Sequence, residues 1–177
     1  MNTNKQSWEQ GKVILDNLLR QRVLLALYQL GYSLIRDAEF QKEYRNLTGN
    51  TVTSLSFGLF VDGMFSEIIT LDKEAPLRTK LKKGDILTNF VDYDGRFRRR
   101  FYANEDTDGG YGYDTVLQFY RGYKIPSKYK YAIVVATGTE YSTYLENELN
   151  LNVLTDTALK AKSNGYKMFV SSFKKIE

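Results

Sequence analysis

The chain has 177 residues, 42% of them hydrophobic, which suits a single domain, 1–177, with one sizeable core. It carries 25 basic and 21 acidic residues, a net charge of +4, so nucleic-acid affinity is permitted but not implied. With no Cys and no His, disulfide frameworks, zinc ribbons, thiol nucleophiles, His-dependent triads and zincin helices are excluded, leaving carboxylates, Lys or Tyr as the only catalytic groups.

Residues 1–6 are polar and read as a flexible arm. No run approaches the length of a membrane span and nothing resembles a signal peptide, so a protein made in a cytoplasm is expected. Ser7-Trp8-Glu9-Gln10 has the form of a capping box and predicts a helix from Trp8. Leu15, Leu18, Leu19, Leu25, Tyr28, Tyr32 and Ile35 continue it at spacings of three, four and seven. Val23, Leu24, Leu27, Leu30 and Leu34 widen the stripe beyond what one partner surface needs. The polar residues that follow extend the helix, with a bend at Gly31, to about Tyr44, and Gly49-Asn50 stops it.

From Thr51 the period becomes two, with Leu55, Phe57, Leu59 and Val61 on one face and Ser54, Ser56 and Phe60 on the other. Asp62-Gly63 fits a two-residue hairpin turn, and 64–71 returns as the second strand. Residues 72–84, with Pro76 and five basic side chains, read as an exposed connection. A second hairpin is predicted over 85–92 and 96–102. Its alternation places Arg96, Arg98 and Arg100 on one face and Phe97, Arg99 and Phe101 on the other. The glycine- and carboxylate-rich stretch 104–113 reads as a mobile loop, and Asp114 as the cap of a short helix ending at Gly122.

The run 132–136, with Ile133, Val134 and Val135 at its centre, reads as a central strand buried on both faces. Thr137-Gly138-Thr139 breaks it, and Thr139 caps a short amphipathic helix through Tyr141, Tyr144, Leu145 and Leu149. Residues 151–154 suit a brief edge strand. A last helix runs from Thr155 through Phe173, although Asn164-Gly165 also fits a turn, which would make 167–173 a strand. The fold class is therefore α+β: a long N-terminal helix packed on an antiparallel-rich sheet, with short C-terminal helices.

Two constellations invite chemistry. Asp106-x-Asp108-Gly109 opens like a calcium loop but lacks the later oxygen ligands, and the neighbouring glycines lack the Lys-Ser/Thr of a phosphate loop, so no metal or cofactor is expected. Arg96, Arg98 and Arg100, interleaved with aromatic residues, could hold phosphates while the rings stack bases. Pairing of these arginines with Asp85, Asp92, Asp94 or a neighbouring subunit is the preferred reading. Arg96, Arg98, Arg100, Asp106, Asp108, Tyr111 and Tyr113 are thus the candidate subunit or partner contacts.

The order of features also resembles a known family. A helix, then Leu47-Thr48-Gly49-Asn50-Thr51-x-x-Ser54 opening a strand, and later Gly138-Thr139-Glu140-Tyr141-x-x-Tyr144-Leu145-Glu146 after a hydrophobic strand, is similar to the tail-completion or head-to-tail joining proteins of tailed bacteriophages. Asn152-Val153-Leu154-Thr155 looks like versions from phages of gut bacteria. Thr51 stands where the family has Leu, and Tyr141-Ser142 where it has Tyr-Ala. The resemblance implies a non-enzymatic virion protein, made in the host bacterial cytoplasm, that forms a homo-oligomeric ring between portal and tail. Its partners would be further copies and other neck, portal or tail proteins, with no small-molecule substrate, no membrane, and DNA only passing through.

Overall fold

A computed structural model describes residues 3–43, 49–71, 81–92, 95–104, 110–139, 142, 145, 147–149 and 151–175. The α+β class holds: a long first helix and antiparallel sheets make up the body, with a further helix at the C-terminal end. Among the described residues no helix is long and apolar enough to cross a membrane.

Helix α1 (Thr3–Phe40) starts earlier than the capping box predicts, running through Ser7 because nothing in Thr-Asn-Lys-Gln breaks a helix. It also stops earlier than Tyr44. Gln41 N donates to Asp37 O (2.9 Å), but the Gln41 carbonyl, which a continuing helix would use, instead accepts from the Asn152 side-chain amide (3.3 Å). The segment after Gly49 is a short helical turn, α2 (Asn50–Ser54), rather than the start of a strand. Its hydroxyls explain this, since Thr53 Oγ1 donates to Gly49 O and Ser54 Oγ to Thr51 O, both at 2.9 Å, and such bonds favour a turn over an extended ladder.

Strand β1 (Ser56–Val61) pairs antiparallel with β2 (Met64–Thr70) across the expected turn, where Asp62 (φ 52°) and Gly63 (φ 80°) both take the positive angles of a tight hairpin. The other neighbour of β1 is β5 (Tyr131–Ala136), also antiparallel, giving the order β2-β1-β5. The strand expected at the centre therefore lies to one side, and β1 is central. Coverage accounts for the difference. Both faces of this sheet are covered, so an apolar run records helices above and below a strand, not strands beside it.

On one face α1 covers Phe57, Leu59 and Ile69, with Ile133 and Val135 packed alongside. On the other, Phe60 packs with Val116 and Tyr120 of α3 (Gly110–Gly122), joined by Phe65, Ala132 and Val134. Alternation along β1 thus serves two cores. Close approach is built in on both sides: a Cβ at Gly31 would lie 2.7 Å from the Phe57 ring, and one at Gly58 would lie 2.6 Å from the Tyr120 ring. The Tyr120 hydroxyl donates to Ser56 O (3.0 Å), and burial pushes the phenol above its usual range despite the hydrogen bonds that oppose the shift.

Residues 110–113 belong to α3 and not to a loop, and 105–109 lie outside the described residues. The backbone of this helix start is in close contact with the chain after β5, since a Cβ at Gly138 would sit only 1.8 Å from Gly112 O. Residues 151–154 form no strand. Asn152 Oδ1 accepts from Asp156 N (3.2 Å) and so caps helix α4 (Thr155–Lys174), which runs unbroken through Asn164-Gly165. This helix lies along α1, tied by an ion pair between Lys160 and Asp37.

Candidate functional site

Strands β3 (Ile86–Val91) and β4 (Phe97–Tyr102) form a separate two-stranded sheet. The three arginines differ in burial, Arg98 being half-buried and Arg96 and Arg100 exposed. The half-buried positions are Leu87 and Phe90 in β3, and Arg98 and Phe101 in β4, three apart instead of two. Asn89 interrupts the alternation midway, with φ 52° inside the strand. Arg98 turns inward, and its Nε donates to Asp92 Oδ2 at 2.8 Å, while Arg96 N donates to Asp92 Oδ1 at 2.7 Å. Burial alone would raise the Asp92 carboxyl. The Arg96 amide, the Arg98 hydrogen bond and both arginine charges outweigh it and hold the group below its ordinary value.

Of the other predicted contacts, Arg96 and Arg100 are exposed, as is the neighbouring Arg99. Tyr113 is half-buried in the first turns of α3, and Tyr111 shares that helix. Asp106 and Asp108 lie outside the described residues. The structure thus pairs Arg98 with Asp92, one of the expected carboxylate partners, with the charge of Arg96 also acting on that carboxylate.

A second feature is a junction of hydroxyls. Ser54 Oγ lies 2.7 Å from Thr137 Oγ1, Thr137 Oγ1 lies 3.3 Å from Ser142 Oγ, and Thr139 Oγ1 lies 2.6 Å from Ser142 Oγ. Thr139 Oγ1 also donates to Thr51 Oγ1 at 3.4 Å. Thr51 and Ser54 of α2 thus meet Thr139 and Thr137 in space. These bonds join one hydroxyl to another, and none of them brings a base that could activate a nucleophile. Their role is to pin β5 to α2 and to the turn that follows.

The third feature is the largest. Every residue from 4 to 22 of α1 is exposed. Consecutive positions cover all sides of a helix, so this half stands clear of the described elements for about 28 Å. Its apolar side chains are uncovered: Trp8 is 72% exposed, Leu15 57%, Leu18 54% and Leu25 45%. A groove lined by Leu15, Leu18, Leu19, Gln21, Arg22 and Leu25 runs along it. The excess apolar width is visible in the sequence, yet none of the expected contact residues falls on this segment. The available signal is an apolar row at helical spacing that begins well before the first residue of the core.

Comparison with family models, curated proteins and solved structures finds no match to this chain.

Proposed function

We propose that the chain is a structural virion protein of a tailed phage, one subunit of a ring in the neck or tail between portal and tail proteins. The observation that carries this reading is the uncovered half of α1. An apolar stripe this long is unusual on a monomer and marks a surface made for association. The resemblance supplies the setting. The site's chemistry is hydrophobic contact, with Gln21 and Arg22 as the polar part of the groove's lining. Sedimentation velocity and negative-stain electron microscopy of the purified protein test the proposal. Closed annular oligomers are expected, and a protein that stays monomeric at tens of micromolar overturns it.

A second reading, nucleic-acid binding by the β3–β4 hairpin, draws on exposed Phe97, Arg99, Arg100 and Tyr102. It requires salt-sensitive binding to random-sequence duplex that is lost when Arg99 and Arg100 are replaced by Ala.

A further inference from the structure

We infer that the projecting half of α1 is covered by the same segment of a second copy, lying antiparallel, with the two-fold axis between Leu15 and Leu18. The inference rests on the assembly reading above and adds to it the occupant, direction and register of the stripe.

The pattern is a heptad seam. Trp8, Gly11, Leu15, Leu18, Arg22 and Leu25 fall at alternating steps of three and four, the a and d positions of a coiled coil. Antiparallel pairing about the 15/18 centre sets Trp8 against Leu25 of the second copy, Leu15 against its Leu18, and Gly11 against its Arg22. The large apolar side chains then meet one another, and Arg22 meets the position that has no side chain. A parallel pair would instead place Arg22 against Arg22, a like-charge contact within the seam, and Gly11 against Gly11, leaving a gap.

Gly11 itself points to a contact from outside the chain. A Cβ built there meets nothing within 4 Å, so no intramolecular packing requires glycine, and glycine in an exposed helix interior is unfavourable. The room at Gly11 is what the long stem of Arg22 from a second copy would fill. Area agrees as well. Trp8, Ile14, Leu15, Leu18, Leu19 and Leu25 expose on the order of 600 Å² per copy, against roughly 800 Å² per partner, polar rim included, in a standard interface.

A helix pair of this kind is isologous and joins two copies, whereas closing a ring needs a different, heterologous surface. The two readings can therefore fail separately. The chain has no Cys, so introduced thiols report cleanly. A full-length Gly11→Cys variant carrying a mass tag is mixed with untagged Arg22→Cys under mild oxidation. The mixed disulfide is expected in large excess over either homodimer. Separately, the double variant Leu15→Glu/Leu18→Glu should weaken dimerisation at least 100-fold in sedimentation while keeping the circular dichroism of the body, because both side chains are exposed.

A dominant disulfide between two thiols introduced at position 11, or no disulfide at all, overturns the antiparallel pair. So does a protein that is monomeric alone and buries the stripe only when lipid vesicles or another protein are supplied. Rings that persist in micrographs without the 11–22 cross-link would sink this inference and leave the ring reading standing. Cross-linked dimers that never close into rings would do the reverse.

Discussion

At the scale of single residues, glycines with opposite surroundings give opposite expectations. At Gly138 an added methyl would overlap Gly112 O, a backbone atom that cannot rotate away. Gly138→Ala should therefore lower stability by about 3 kcal/mol or more, measured by urea unfolding. Gly11→Ala should raise helicity, by about 1 kcal/mol locally, because it meets open space. Equal effects would mean that the Gly138 turn is not in contact with α3. Asp92 carries a pH dependence with a defined sign. Its folded-state value is depressed, so its contribution is complete above the unfolded carboxylate value of about 3.9 and disappears as pH falls through the folded value. The protection factor of the Arg96 amide should fall in that acid window, and Asp92→Asn should remove this pH dependence while loosening the hairpin by about 1–3 kcal/mol even at neutral pH. A hairpin equally protected at pH 7 and pH 2 would contradict it. The pairing partner of Arg98 was legible, since Asp92 lies on the facing strand end. Its inward turn was not, because nothing in the residue pattern marks Asn89 as left-handed.

Among the elements, those that were legible have a single period and a single burial regime. The 62–63 hairpin is of this kind, whereas for 164–173 the sequence left helix and strand open and the structure shows helix. The misplaced ones read one physical cause as another. Residues 132–136 looked central because helices cover both faces of β5, and Gly110 and Gly112 looked mobile although one of them closes a backbone contact. Helix α1 combines two burial regimes in one rod. From Val23 onward its side chains meet the body, and Leu30, Leu34, Ile35 and Ala38 are buried, whereas residues 4–22 are exposed throughout. Propagation from an anchored end is far easier than nucleation, but a free segment of this length remains marginal in water. Hydrogen exchange at concentrations low enough to hold the protein monomeric should therefore show fast amides over 4–22 and slow ones over 26–38. Raising the concentration should slow the first set and leave the second unchanged. Uniform protection along α1 in the dilute monomer would mean that its first half is already packed on the body.

For the whole molecule, the same division predicts that the body is an autonomous folding unit. Ala26 is the first buried residue of the core, and among the described residues the three-layer arrangement of α1, the β2-β1-β5 sheet and α3 draws on nothing before Val23. A chain beginning at Val23 keeps Leu24 and Leu27 against Phe57 and Ile69, keeps α4 along α1, and keeps the hydroxyl junction. It should unfold cooperatively, with a melting temperature within a few degrees of the full-length protein, since the removed residues contribute exposed helix and little buried area. Its circular dichroism should lose helix signal in proportion to the segment removed and nothing more. It should also lose the pairing that runs through the apolar stripe, whereas any association through its other surfaces remains. A truncated chain that unfolds or precipitates would show that the projecting half is part of the folding unit, and one that still assembles normally would show that association runs through another surface.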